Sequence, residues 1–376
     1  MTESLKVLAL CAHPVEAAAT RFRLQQFVEP LREQGIDVTI SPFLTSAQFH
    51  SLYKSGGIAA KGAAMAISAL KRVGDVLTAG GYDLVVVQRE AMIFGPGVVE
   101  WMLTRLRGLP MVLDLDDATY VHYVSPTYGR LGSWLKFFGK TDKLIERAAA
   151  VTCGNRFIAE YVENQGTRAI VVPTVVDLEE FKPMADGEGR TELVIGWIGT
   201  HSTFPFLQSI FPVLEQLAKK HSFRLKVVGA GHRDIMVDGV QVEDLDWNMA
   251  REPHDFASMD IGLYPITTSA SANEEWIKGK SGFKAVQYFA VGVPFVMSPV
   301  GICAELGEPG ITHFNAATGE DWYNSLNTLL SDESLRARMG AAGRTHALAN
   351  YRIDDQADVL AGTFREVIEE QQQDKR

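Results

Sequence analysis

Lys278 and Lys280 are interleaved with Gly279 and Gly282 directly ahead of the mostly apolar run Phe283–Val291, which carries Lys284 in its first turn. The run is long enough for a short helix, and Gly292 and Pro294 then end it and open a buried strand at Phe295–Met297. Ser281 can cap that helix, leaving backbone N–H groups free at its start. A helix N-terminus carries partial positive charge, and Lys280 and Lys284 add two full charges to it. Such a place suits a diphosphate. The plainer alternative is a solvated charge cluster on an ordinary strand-connecting helix.

Two further sets could do chemistry. Gly196-Trp197-Ile198-Gly199 closes an apolar strand, and Thr200, His201, Ser202 and Thr203 follow it. A phosphate or sugar commonly meets the backbone at such a strand-to-helix turn. Gly199 allows close approach, and the hydroxyls and imidazole supply hydrogen bonds. A structural turn with a helix cap reads the same way. Asp114, Asp116 and Asp117 follow another apolar strand, ahead of Thr119. Clustered like charges cost stability unless used or compensated, so they mark a site, a helix cap or arginine partners.

Composition narrows the classes. A formal net charge of -10 argues against a general nucleic-acid binder, yet leaves room for a local basic site. Cys11, Cys153 and Cys303 are far apart and odd in number, so neither a disulfide framework nor a metal-ligand spacing is visible. No metal and no cofactor are expected, and a reducing, cytoplasmic setting is. Leu5–Ala12 reads as a strand rather than a secretion signal, and no apolar run is long enough to span a membrane. Leu131–Lys143 mixes Trp134, Phe137 and Phe138 with Lys136, Lys140 and Lys143. It could lie at a membrane surface or be a core-facing helix with solvated lysines. His50–Leu77 mixes apolar and basic residues in the same way.

The elements that must position these residues alternate strand and helix, twice over. The first half predicts strands at Lys6–Cys11, Asp37–Ser41, Asp83–Gln88, Met111–Asp114, Ala150–Cys153 and Ala169–Pro173. The second predicts Leu193–Ile198, Arg224–Val228, Val240–Val242, Ile261–Tyr264, Phe295–Met297 and a weak one near Ile311–Phe314. Continuous Val/Ile/Leu strands are buried on both faces, as in parallel sheets, so the fold class is α/β with two doubly wound, Rossmann-like domains. A polar stretch near Asp177–Arg190 marks the join. The domains are expected at 1–178 with 355–376, and at 179–354, facing a cleft at the carboxyl ends of their strands.

Several segments, in order, resemble the GT-B glycosyltransferases, close to the large retaining family 4. Pro173-Thr174-Val175-Val176-Asp177 with Phe181-Lys182-Pro183 is similar to the family's interdomain pattern. Ala149–Asn155 resembles the strand before it. Ala290-Val291-Gly292-Val293-Pro294-Phe295-Val296 resembles A-x-G-x-P-V-V, and Arg336–Arg344 matches the late R-x-R-M-G-x-x-G-R helix. The resemblance implies an acceptor-binding first domain, a nucleotide-sugar-binding second domain and a last helix that crosses back to the first. It also implies metal-independent transfer, in which positive protein groups stabilise the leaving nucleoside diphosphate. UDP is the default nucleotide.

The chain also departs from the family. An arginine and a lysine usually follow the G-x-x-G strand, and Thr200 stands at the first place. The usual E-x7-E pair is replaced by Gly279 and Gln287, with Gln287 still able to bond ribose hydroxyls. Lys280 and Lys284 are expected to replace the missing phosphate cations, and Trp276–Lys284 fits the W-x-K-G-K-x-G-x-K pattern of a bacterial subset. Glu275 could contact the donor sugar, beside Glu274. Many members place a sugar-contacting histidine where Asp116 or Asp117 stands, and a carboxylate there could orient a hydroxyl or accept a proton. His13, Arg21 and Arg23 lie at the family's acceptor loop, here with alanines for its glycines. Arg89 could meet an anionic acceptor or pair with Glu90.

The resulting expectation is a hexosyl transfer from a nucleoside-diphosphate sugar to a hydroxyl acceptor, plausibly a glycan or lipid-linked intermediate of bacterial surface polysaccharide at the inner face of the membrane. Asp116, Asp117, Lys280 and Lys284 are the catalytic candidates. Gly199, Thr200, His201, Ser202, Gly282, Gln287 and Glu275 complete the donor set. A nucleotide-sugar epimerase on the same fold, or a silent nucleotide-sugar-binding subunit, would carry many of the same signals.

Overall fold

The computed structural model describes residues 4–52, 57–122, 134, 136–184, 192–232, 234–267 and 274–374. Contacts divide the chain into two compact units. Unit 1 is Met1–Thr174 with Gly279–Ser281 and Ile353–Arg376; unit 2 is Val175–Lys278 with Gly282–Arg352.

Unit 1 holds a six-stranded sheet of β1 (Leu5–Cys11), β2 (Ile36–Pro42), β3 (Leu84–Gln88), β4 (Met111–Leu115), β5 (Ala150–Cys153) and β6 (Ala169–Val171). The order is β2-β1-β3-β4-β5-β6 and every pairing is parallel. β3, β4 and β5 are buried at every position, as expected of apolar strands covered on both faces. Asp114 lies on β4 within that interior, so it needs partners there. The order reverses between β1 and β3, and in open parallel sheets ligands bind beyond the strand ends at such a switch point.

The 21-residue helix Ile58–Thr78 leads into β3. It turns its polar side inward: Arg72 is fully buried and donates to the carbonyls of Cys11 (2.8 Å), Ser41 (3.0 Å) and Ala91 (2.8 Å) and to Asp75 (2.7 Å). The helix Ile353–Asp374 belongs to unit 1. Its Leu360 and Phe364 face Leu24, Phe27 and Leu31 around a cavity of about 20 Å³. Gln34 donates to Asp358 at 2.9 Å, and Arg365 to the Gln34 carbonyl at 2.7 Å.

Unit 2 holds β7 (Leu193–Ile198), β8 (Phe223–Val228), β9 (Gln241–Leu245), β10 (Ile261–Tyr264), β11 (Phe295–Met297) and β12 (Phe314–Asn315). This sheet is also parallel throughout, in the order β12-β11-β10-β7-β8-β9. Arg344 donates to the carbonyls of Leu178 (2.8 Å), Phe181 (2.9 Å) and Ala290 (2.6 Å), which ties the stretch after Thr174 onto this unit.

Three strand expectations shift. β6 ends at Val171, two residues before Pro173; β9 runs on to Leu245; and the last strand is the pair Phe314–Asn315. Residues 185–190 of the expected join Asp177–Arg190, and residues 131–133 and 135 of the aromatic-basic segment, lie outside the described residues. Among the described residues no helix is long and apolar enough to cross a membrane, and no cluster of metal-ligating side chains occurs.

Candidate functional site

In unit 1 the loops after β1, β3 and β4 carry His13, Arg89 and the aspartates, and β1 and β3 border the switch point. Arg89 adopts φ 60°, a left-handed conformation that is costly for a residue with a Cβ. The Glu90 N–H donates to the Gln88 carbonyl across it at 2.7 Å, closing a tight turn, and the Arg89 N–H donates to the Asp114 carbonyl at 2.8 Å. The turn sends the guanidinium onto Asp116 through two contacts, Nε to Oδ1 at 2.5 Å and Nη2 to Oδ2 at 2.6 Å. Nη2 also reaches Asp117 Oδ2 at 3.0 Å. Gln88 Nε2 adds a bond to Asp116 Oδ1 at 3.1 Å.

This arrangement separates the two carboxylates. Asp116 is buried with both oxygens engaged. Burial alone would raise its pKa, but the charge and hydrogen bonds of Arg89, with Arg23 behind, hold it below the usual carboxylate range. Asp117 keeps one oxygen beyond the arginine and is the more exposed of the two. Arg89 therefore pairs with the aspartates, while Glu90 pairs with Lys140 at 2.8 Å, in place of the expected Arg89–Glu90 pair.

Arg23 is a correction. It was expected to face an acceptor, but it is buried and spent on the frame: it ion-pairs with Asp114 and donates to the Val172 carbonyl. Thr152 also donates to Asp114, at 2.7 Å. The third carboxylate is thus a structural one, compensated from the helix Ala18–Arg23. The Arg21 guanidinium lies 4.3 Å over the Phe22 ring.

His13 has a buried Nδ1 without a hydrogen-bond partner among the described residues. Burial, with the nearby Arg89 charge, pushes its pKa down to about 4, so the ring is neutral at pH 7. The buried Thr119 hydroxyl also lacks a partner among the described residues. Unpaired buried polar atoms cost free energy, and two of them on loops at one end of one sheet fit a site whose ligand or water would complete them.

Asn155 was not singled out by sequence reasoning, although it stands in the polar turn after β5. Its Oδ1 accepts from the Ile158 N–H at 3.0 Å, capping the helix Arg156–Glu163. Its Nδ2 donates to the Lys280 carbonyl at 2.9 Å. Gln88 was missed because a buried glutamine inside an apolar strand gives no sequence signal.

In unit 2 the turns after β7 and β8 lie side by side. A Cβ on Gly199 would stand 2.0 Å from the Trp197 ring, and one on Gly229 would stand 2.5 Å from the Gly199 carbonyl. Only glycine fits either place, because the packing of the chain on itself leaves no room for a Cβ there. Thr200 and Thr203 close the turn on themselves, the Thr200 N–H donating to Thr203 Oγ1 at 3.0 Å. Thr200, His201 and Ser202 are exposed. Sequence reasoning found the first loop and missed Gly229, which lacks flanking polar residues.

The helix after the lysine-rich stretch runs Phe283–Val291. Its N-cap is Gly282 at φ 66°, with no side-chain cap, so the expected cap by Ser281 is not made. A Cβ at Gly282 would stand 2.5 Å from Leu306, so the left-handed turn and the packing both require glycine there. The first-turn N–H groups consequently have no side-chain cap. Lys284 Nζ lies 5.9 Å from the Phe256 ring centre. Lys280 and Lys284 are both partly exposed. Gln287 is 1% exposed and donates from Nε2 to Glu252 at 3.2 Å, while its buried Oε1 has no hydrogen-bond partner among the described residues. Glu275 is exposed on the helix Glu274–Lys278, where Glu274 pairs with Lys278 at 2.6 Å.

No protein-family model and no curated protein sequence matches the chain. Solved structures do. Sucrose-phosphate synthase from Thermosynechococcus elongatus superposes with a TM-score of 0.68 at 14% identity, covering 96% of this chain and 99% of that one. A glycosyltransferase from Rickettsia africae gives 0.67 at 11% identity, covering 98% and 99%. Anabaena HepE in complex with UDP-glucose gives 0.69 at 16% identity, covering 96% and 100%. The likeness runs over nearly the full length of both partners in each case, and with the two parallel six-stranded sheets it shows that the chain has the GT-B fold.

Proposed function

We propose that the protein is a glycosyltransferase that moves a sugar from a nucleoside-diphosphate sugar to a hydroxyl acceptor. The observation that carries this reading is the fold likeness to glycosyltransferases along nearly the whole chain, one of them in complex with UDP-glucose. UDP is accordingly the first nucleotide to test. The sequence resemblance makes a retaining, family-4-like enzyme the specific form of the proposal, working on a glycan or lipid-linked acceptor.

Unit 2 takes the donor in this reading. The loops at Gly199 and Gly229 admit the nucleotide's phosphates or sugar to the backbone, with Thr200, His201 and Ser202 at the rim. The uncapped start of the helix Phe283–Val291, with Lys284 in its first turn, meets the diphosphate and opposes the charge that grows as the anomeric C–O bond breaks. Unit 1 takes the acceptor. Arg89 and Asp116 form the rigid part of that site and present Asp117 and the neutral His13 imidazole to hydroxyl groups. The acceptor oxygen bonds to the anomeric carbon as the diphosphate leaves, and its proton passes to the leaving phosphate, so no protein base is demanded.

The test is a thermal-shift screen against UDP, GDP, ADP, CMP and dTDP with and without EDTA, followed by a nucleotide-release assay with the matching sugar nucleotides. A selective shift that EDTA leaves unchanged, together with release, supports the proposal, because a ligand that binds only the native state raises stability. No shift and no release with any nucleotide at millimolar concentration refutes it.

A further inference from the structure

The helix Ile58–Thr78 is inverted for a surface helix. Its inner side carries Ser68 and Arg72, both buried and hydrogen-bonded to this chain, with Asp75 beside them. Its open side carries Ile67, Leu70, Val73 and Leu77, at 65%, 70%, 47% and 66% exposed. Ala59, Ala63 and Ala66 are exposed as well. From Ala59 through Ala63, Ala66, Leu70 and Val73 to Leu77 the steps alternate four and three residues, the seam spacing of paired helices. The positions flanking the seam include Ala60, Gly62, Ile67, Ala69 and Gly74, none of them charged.

We propose that this face pairs with the same helix of a second copy of the chain, antiparallel about a two-fold axis beside Ser68. Reading the helix backwards about Ser68 sets Ala59 against Leu77, Ala63 against Val73 and Ala66 against Leu70. Each small side chain meets a larger one, as interdigitating layers require, and the seam is complementary to itself, as an isologous interface demands. A parallel pair would set alanine on alanine at one end and leave holes. Gly62 falls level with Gly74, both flanking the seam. Within one chain a Cβ on either would meet nothing within 4 Å, so intrachain packing does not call for these mid-helix glycines, each of which costs about 1 kcal/mol relative to alanine. As small residues flanking the seam near either end, they let two backbones approach closely.

Charge and size agree. Two copies of net charge -10 repel overall, and a seam without charged side chains adds nothing to that repulsion. A helix of 21 residues is about 31 Å long and about 10 Å across, so pairing along its length removes on the order of 1,000 Å² of accessible surface in total, where specific interfaces begin.

The test is sedimentation velocity on the full chain and on Leu70→Glu. The wild type is expected at twice the mass of one chain at micromolar concentration and the variant at the single mass, with unchanged circular dichroism because Leu70 is exposed in the single chain. Orientation is read by mixing Ala63→Cys with Val73→Cys under mild oxidation. The mixture should cross-link to a covalent dimer while neither variant links to itself. A monomeric wild type, a dimeric Leu70→Glu, or self-linking of Ala63→Cys overturns the proposal. So does flotation of the wild type, lost in Leu70→Glu, with vesicles of phosphatidylglycerol and phosphatidylcholine, which would make the face a lipid-binding one.

Discussion

Replacing Arg89 with methionine removes the charge that Asp116 leans on while keeping most of the side-chain volume. Asp116 is 10% exposed at its side chain and Arg89 29%, and they meet through two contacts of 2.5 and 2.6 Å. Losing Arg89 leaves a buried carboxylate with the Gln88 hydrogen bond and the weaker pull of the Arg23 charge. Breaking a buried pair in this way costs about 3 kcal/mol or somewhat more. The left-handed backbone strain persists in the variant, since methionine also carries a Cβ. For a unit of roughly 200 residues, about 3 kcal/mol lowers the melting temperature by about 6 to 12 °C. The pH dependence is the sharper readout. In the wild type Asp116 is held below its unfolded pKa, so the pair contributes stability above that value and loses it as pH falls through the folded pKa. In the variant Asp116 is neutralised readily in the fold, so acid relieves it. The gap between the two proteins should therefore be widest near pH 7 and narrow toward pH 4. Calorimetry across that range is the assay. A gap that is equal at both ends, or a drop below about 2 °C at pH 7, would refute the argument that the arginine's charge holds this corner together.

Lys284→Ala should lower kcat by about 100-fold or more with almost no change in melting temperature, because the lost charge acts on the transition state, and steady-state kinetics read it. Gly199→Ala should destabilise by about 1–3 kcal/mol by chemical denaturation, since its Cβ has the Trp197 ring at 2.0 Å, and should weaken nucleotide binding in parallel. His13 and His313 are both pushed down to about 4, chiefly by burial. The unfolded chain binds these protons first, so stability from the two rings is lost as pH falls from about 6.5 toward 4 and is complete above that window; NMR titration of the imidazoles should give midpoints near 4.

The strands of the central sheets were legible because their apolar runs are continuous, and the predicted and observed limits of β3, β4, β5, β7 and β10 agree to within a residue. β9 was read short because Gln241–Leu245 is an edge strand whose Glu243 and Asp244 break the apolar run. In the candidate site, residue types were readable and partnerships were not. Arg89 and Asp116 come from different strands, and nothing in the sequence says that the arginine turns left-handed and reaches the aspartate instead of its neighbour Glu90. Arg23 looked like a loop cation because its partner Asp114 lies far along the chain. Ser281 looked like a cap because serine commonly is one, yet the close approach of Leu306 leaves room only for Gly282 to make the turn. The helix Ile58–Thr78 shows the limit most plainly: its apolar pattern is strong, and only the structure tells which face is turned inward.

The helix Ile353–Asp374 has a consequence for how the chain comes to be. It packs on the segment around Phe27 and Leu31, more than three hundred residues earlier. A ribosome adds about 5–20 residues per second, so the sheet of β1–β6 waits on the order of ten seconds or longer without its final cover while the whole of unit 2 is synthesised. All of unit 2, which ends at Arg352, is synthesised before that helix exists. During that interval Leu24, Phe27 and Leu31 are the surface a chaperone would hold, and shortening the chain before Leu360 would prolong the interval indefinitely.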